Sequence, residues 1–331
     1  MIKSTILQAA LLAGIALSAP VTSARAEPFK VVAFAGSSNW AFWVAQEKGY
    51  FKKHGVEPTL TITPGSIAMA KDLYAGNFDL ALTAADNMIA YNEGQGETDL
   101  GGPPDFVVLF GVDPGMLQIM AAPQIKSLAD LKGKTIAVDA MTSGFAFVLF
   151  DALNKQGIAV TDAKWDRVGG GAQRLQALLE GKQDATLLNA PLDIAAEAKG
   201  FVNLQDASQA LGAYQGISGA TRRSAAAAKR KEIVAFIRAF KESMDWLTAP
   251  ANREEAIGLL TKNMRGMERP QAELAYAKLL DPKLGMFRDL RIDPEGMKTV
   301  LRLRGAYGAP RKELKEASAY IDESFLKEAL K

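Results

Sequence analysis

The chain has no cysteine and one histidine among its 331 residues. The first absence excludes disulfides, zinc–thiolate sites, iron–sulfur clusters and thiol nucleophiles. The second excludes a paired-histidine metal motif and leaves His54 as the one imidazole that could act as a base. No apolar run reaches the roughly 20 residues that span a bilayer as a helix. What remains is ordinary: 48% hydrophobic and 23% charged residues, a globular composition at a length that predicts two domains, each with its own core.

The first 26 residues read as a secretory signal peptide. Lys3 gives a positive start, residues 6–19 are apolar apart from Gln8, Gly14 and Ser18, and Ala24-Arg25-Ala26 forms an A-x-A cleavage site. The mature chain is expected to begin near Glu27, outside the cytoplasm, and without a cysteine it is not a lipoprotein. Taking Lys3 and Arg25 from 39 basic residues leaves 37 against 37 acidic ones. A neutral chain offers no electrostatic case for binding nucleic acid or an anionic membrane.

From residue 29 the chain alternates β-like runs with helical patterns. Strands are predicted at 29–35, 59–63, 79–82, 106–112 and 117–121, with helices at 40–53, from Ser66 onward, and from Thr83 to Glu93. The rhythm restarts at Ser127, with strands at 135–138, 164–168, 185–188 and 201–204 between helices. After Ser224 it gives way to long amphipathic helices at 225–248, 253–263, 271–280 and 294–304. This is an α/β pattern of mainly parallel sheet, followed by a helical tail.

Familiar phosphate motifs fail on spacing. Gly133-Lys134-Thr135 lacks a glycine five positions earlier, where Leu128 stands, and reads as a helix stop. The third glycine of a dinucleotide fingerprint starting at Gly169 would fall on Arg174, so Gly169-Gly170-Gly171 reads as a flexible turn. His54 sits beside Gly55 at a helix end, where a cation is favoured by the dipole.

Four strand-to-helix turns remain: Gly36-Ser37-Ser38-Asn39-Trp40, Pro64-Gly65-Ser66, Thr83-Ala84-Ala85-Asp86-Asn87 and Met141-Thr142-Ser143-Gly144. Ligands of open α/β sheets bind at such turns, where helix N–H groups converge. Asn39, Ser66, Thr83 and Ser143 can each be a simple helix cap, but four such turns point to one site. Trp40 is expected to stack on a ligand, with Trp43 in the core.

The segment Trp40-Ala41-Phe42-Trp43-Val44-Ala45-Gln46-Glu47-Lys48-Gly49-Tyr50-Phe51 resembles the opening of the NMT1/THI5-like (sulfonate/nitrate/taurine-type) solute-binding proteins. The likeness continues in SIAMAKDLYAGNFDLAL at 66–82, at 128–134, at 178–185 and at Asn189-Ala190-Pro191. The resemblance implies a type II periplasmic binding-protein-like fold with a ligand cleft between two lobes, in a periplasmic monomer that delivers a small molecule to the permease of an ABC importer. The lobes are expected at 27–121 plus 213–331 and at 122–212, with crossings at Ala121-Ala122-Pro123 and Leu211-Gly212. Asn39, Trp40, Gly65, Ser66, Thr83, Asp86, Thr142, Ser143, Asn189, Asp193 and Ser218 are the expected ligand-binding residues, with no cofactor, metal or catalytic group.

Converging helix N-termini suit a small anion such as a sulfonate or nitrate. Asp86, Asp139 and Asp193, if they face the cleft, instead favour an amine or a hydrogen-bonding ring such as a pyrimidine; Arg174 is the one obvious cation nearby. A sensor subunit would close in the same way. Some eukaryotic relatives make a thiamin pyrimidine precursor with a cysteine-rich stretch and an active-site histidine, and that enzyme alternative is disfavoured by the missing cysteines and the position of His54.

Overall fold

The computed structural model describes residues 29–331, so the expected signal peptide and the start at Glu27 lie outside the described residues. Ten strands form two five-stranded sheets. The first holds β1 (Phe29–Ala33), β2 (Pro58–Ile62), β3 (Leu80–Ala84), β4 (Phe106–Gly111) and β10 (Ile217–Arg222), in the order β2-β1-β3-β10-β4. The second holds β5 (Leu117–Ala121), β6 (Thr135–Val138), β7 (Lys164–Arg167), β8 (Ala185–Asn189) and β9 (Val202–Asp206), in the order β7-β6-β8-β5-β9. The central β3 is buried on both faces, as its unbroken apolar run requires, and so is β4 at one edge, while β2 at the other edge is partly exposed.

Two expectations need correction. The sheets are mixed rather than mainly parallel, because β10 runs antiparallel between β3 and β4, and β5 runs antiparallel between β8 and β9. Residues 117–121, expected in the first lobe, lie at the heart of the second sheet, with Ile119 opposite Leu187. Leu-Gln-Ile-Met-Ala is buried throughout and can only sit between two neighbours. The chain therefore leaves the first sheet before Leu117, at residues 112–116, and Ala121-Ala122-Pro123 ends a strand instead of crossing. The return runs through 212–216.

The helices α1 (Ser38–Glu47), α2 (Tyr50–His54), α3 (Ser66–Ala75) and α4 (Ala85–Asn92) belong to the first sheet's half, and α5 (Gly144–Asn154), α6 (Gly171–Leu179), α7 (Leu192–Glu197) and α8 (Ala207–Leu211) to the second's. The tail holds α9 (Arg223–Ala228), α10 (Arg230–Thr248), α11 (Arg253–Asn263), α12 (Arg269–Leu279), α13 (Pro294–Tyr307) and α14 (Ser324–Ala329). The single helix expected at 40–53 is split because Gly49 takes a left-handed φ of 71°. At the end of α2, His54 pairs with Glu242 at 2.8 Å.

Helix α10 covers the first sheet with an aromatic stripe. Phe236 stacks on Phe51 at 5.3 Å and on Phe240 at 5.7 Å, and touches Phe29, Phe42 and Phe110. Helix α13 packs on both α4 and α5, so one tail helix touches both halves. Because Phe236 joins the sheet, α1, α2 and α10, Phe236→Ala is expected to lower unfolding stability by about 3–5 kcal/mol. Urea denaturation with tryptophan fluorescence measures this, and a loss below about 1 kcal/mol would show that the stripe is not a shared core.

Candidate functional site

At the C-terminal ends of β1, β3, β6 and β8, the two halves enclose a cavity of about 40 Å³, room for about three ordered waters. Phe34 and Gly36 approach from the turn after β1 and Ser38 from the start of α1, with Ala84 from the end of β3 and Asn87 from the first turn of α4. Opposite them stand Asp139 after β6, Ser143, Gly144 and Phe145 at the start of α5, Gly171 and Arg174 in α6, and Asn189 at the end of β8. Ile217, at the start of β10, lies beside the return crossing. Phe34, Phe145 and Ile217 make part of the wall apolar.

The helices α1, α5 and α6 each present their first turn to this space, through Ser38, Gly144 with Phe145, and Gly171 with Arg174; α4 also reaches it through Asn87, but its first turn carries the Asp86 carboxylate. Unpaired N–H groups and the helix dipoles make such ends positive. Arg174 adds a full charge. Its Nη1 donates to the Gly169 carbonyl at 2.6 Å and its Nη2 to the Leu187 carbonyl at 3.0 Å, which fixes the plane of the guanidinium. Burial pulls its pKa below the usual range, and the Asp139 charge opposes that. Asp139 is itself held across the two halves: the Ser66 backbone N–H, at the start of α3, reaches both its oxygens at 3.1 Å. The Gly170 N–H donates to the Pro64 carbonyl at 2.7 Å in the same seam.

Of the expected ligand residues, the structure brings Ser143 and Asn189 to the cavity wall. Ser143 also caps α5, accepting from the Ala146 N–H at 3.3 Å. Thr83 lies one layer behind, accepting from Asn87 Nδ2 at 2.9 Å, and the buried Ser218 accepts from Gln215 Nε2 at 3.1 Å. Gly65 and Ser66 meet Asp139 rather than the cavity, and Thr142 donates through its N–H and Oγ1 to Glu97 at 3.2 and 3.0 Å. Asn39 borders a separate groove beside β2.

Three expectations are corrected. Trp40 is fully buried, donates its indole N–H to the Ala256 carbonyl at 3.1 Å and meets Tyr276 edge-on at 6.0 Å, so it is core and stacks on no ligand. Asp86 is paired with Arg304, and Asp193 with Lys278, and neither lines the cavity. The sequence reading missed Phe34 and Phe145 as walls. Their signal was position alone: one follows β1 directly, and the other is the second residue of α5.

Comparison with known proteins agrees with this fold. A family model described as NMT1/THI5 like matches residues 37–254. No curated protein matches the sequence. Among solved structures, the alkanesulfonate-binding protein SsuA from Xanthomonas axonopodis pv. citri, bound to MOPS, is 19% identical with a TM-score of 0.71, over 90% of this chain and 99% of that one. The periplasmic nitrate-binding protein NrtA from Synechocystis PCC 6803 is 14% identical with a TM-score of 0.73, over 92% and 88%. The periplasmic aliphatic sulphonate binding protein SsuA from Escherichia coli is 23% identical with a TM-score of 0.63, over 85% and 86%. The two-sheet arrangement is the two-lobed periplasmic binding-protein fold.

Trp40→Ala is expected to cost about 3–5 kcal/mol of unfolding stability, read by urea denaturation, through its loss from the α1–α11–α12 core. Unchanged stability with weakened ligand binding would return Trp40 to the site.

Proposed function

The chain belongs to the NMT1/THI5-like family, and from that premise we propose that it is the periplasmic solute-binding component of an ABC importer. It captures a small organic anion by closing two lobes around it and presents it to the permease in the inner membrane. The observation that carries this reading is the cavity itself. It lies at the seam of two separate sheets, and Arg174 and the starts of α1, α5 and α6 surround it with positive potential. Phe34, Phe145 and Ile217 suit the apolar part of a short sulfonate, and the volume suits a ligand of few heavy atoms. The named neighbours are an alkanesulfonate-binding protein bound to MOPS, an aliphatic sulphonate binding protein and a nitrate-binding protein, which supports the same ligand class.

The lobes we assign are residues 29–112 with most of 217–331, and residues 117–206, hinged at 113–116 and 212–216. Contacts drawn from both make closure favourable with ligand, since only a ligand that interacts better with the closed state can shift the equilibrium. Transport without catalysis is supported by the wall's chemistry. Its ionisable side chains are Asp139 and Arg174, with no nucleophile and base in contact, and His54, outside the wall, is engaged by Glu242 at the end of α2.

A second reading, a ligand that carries an amine or ring N–H, is favoured by Asp139. Its two oxygens share the Ser66 N–H, which leaves acceptor capacity facing the wall. Taurine would satisfy Arg174 and Asp139 together.

The test is calorimetric titration of the mature protein with methanesulfonate, nitrate and taurine. The Asn189 amide lines the cavity from β8, so Asn189→Ala is expected to weaken binding about tenfold to a hundredfold, the effect of about 1–3 kcal/mol for a lost buried partner. Small-angle scattering should show compaction with ligand, and the ligand should be recovered unchanged. Chemical alteration of the ligand would overturn the transport reading.

A further inference from the structure

The only fully buried arginine in the tail lies outside both the cavity wall and the 37–254 match. Arg304, in α13, donates through Nε and Nη2 to the two oxygens of Asp86 at 2.7 and 2.6 Å, and through Nη1 to Gln95 Oε1 at 3.3 Å. Nη2 also reaches the Thr142 carbonyl at 2.7 Å, and the guanidinium stands 4.8 Å over the ring of Phe147. Asp86 and Gln95 belong to the first sheet's half, and Thr142 and Phe147 to the second's. One planar side chain is therefore shared by both halves.

The fit is close. A Cβ on Gly144, the first residue of α5, would stand 2.6 Å from Asp86 Cβ and Cγ. Neither Asp86 nor Arg304 touches the cavity, yet their sequence and spatial neighbours do: Asn87 follows Asp86, and Ser143, Gly144 and Phe145 follow Thr142. The fork geometry of arginine on a carboxylate makes the pair rigid.

We propose that Arg304 is the positioning residue of the binding site. The Asp86–Arg304 pair forms a fixed seat on the first lobe, and the 142–144 turn docks on it through the Thr142 carbonyl and the Phe147 ring. Docking carries the start of α5 to the cavity, and Gly144 is the clearance that allows it. This rests on the lobe-closure reading above. Because the Thr142 carbonyl and the Phe147 ring reach the pair from the second half, its loss acts on the closed state rather than on either lobe alone.

The experiment compares wild type, Gly144→Ala, Arg304→Lys and the double variant Asp86→Asn/Arg304→Gln, which avoids leaving a lone buried charge. Each is studied by scattering with and without methanesulfonate, by calorimetry with methanesulfonate, and by thermal unfolding without it. An alanine suits the backbone of a helix start, so Gly144→Ala is expected to keep the ligand-free melting temperature. Its scattering should expand relative to wild type and its affinity should fall at least tenfold. The double variant should behave alike, with Arg304→Lys between it and wild type. If wild type does not bind methanesulfonate but Gly144→Ala is more open, the anion reading fails and the seat stands. Weaker binding of Gly144→Ala with scattering equal to wild type would make Gly144 a simple wall residue and overturn the proposal, as would equal scattering and affinity throughout.

Discussion

A single buried carboxylate joins the two places where the chain passes between its sheets. Asp113 lies in the outgoing crossing, and its Oδ1 accepts from the Gly115 N–H at 2.8 Å and from the Ile217 N–H, at the end of the return crossing, at 3.0 Å. Its Oδ2 accepts from Ser37 Oγ, beside the start of α1. Burial raises the Asp113 pKa, and the donors Ser37, Ile217 and Gly115 oppose that rise. The geometry of the whole cavity depends on this clamp. It sets the crossings against each other, and it holds the α1 start and Ile217 at the wall where both are needed. A carboxylate can do this because it accepts from several donors at once, whereas an amide would present an N–H to another donor.

The charges around the cavity are arranged in two classes. Asp86 and Asp193 lie at the starts of α4 and α7, where a carboxylate is favoured by the dipole, and each is further neutralised by a cation from the tail. They therefore contribute little field at the cavity. Asp139 and Arg174 remain, and Asp139 is partly offset by the start of α3. A buried aspartate at a helix start is thus no guide to ligand charge until its partner is known, and those partners lie 218 and 85 residues away in sequence.

That distance explains what could and could not be read from the sequence. Strand and helix positions were legible because they follow local periodicity: 117–121, 135–138 and 253–263 agree with β5, β6 and α11 to the residue. The turns after the strands were legible as neighbours because chain direction alone places them at one edge of a sheet, and three of the four reach the cavity wall while Pro64-Gly65-Ser66 does not. Strand order was not, since β5 and β10 are inserted by pairings that no local pattern encodes. Trp40 misled for the same reason. An aromatic at a helix start fits a stacking role equally well until α11 supplies the Ala256 carbonyl and α12 supplies Tyr276.

The remaining field at the cavity comes from one guanidinium and three helix starts, set against one partly compensated carboxylate. Helix ends carry partial charge that fades within the first turn, so their effect depends on contact geometry more than on total charge. Two donors of Arg174 are committed to carbonyls, which orients the others without consuming them. The proposed anion would therefore be selected by where its oxygens fall relative to three backbone starts, and only then by its net charge. The starts of α1, α5 and α6 come from both halves of the molecule, so this selection exists only while the halves are together. On the closure reading proposed above, recognition and closure are for that reason one event, which is how a residue such as Arg304 would govern affinity without touching the ligand.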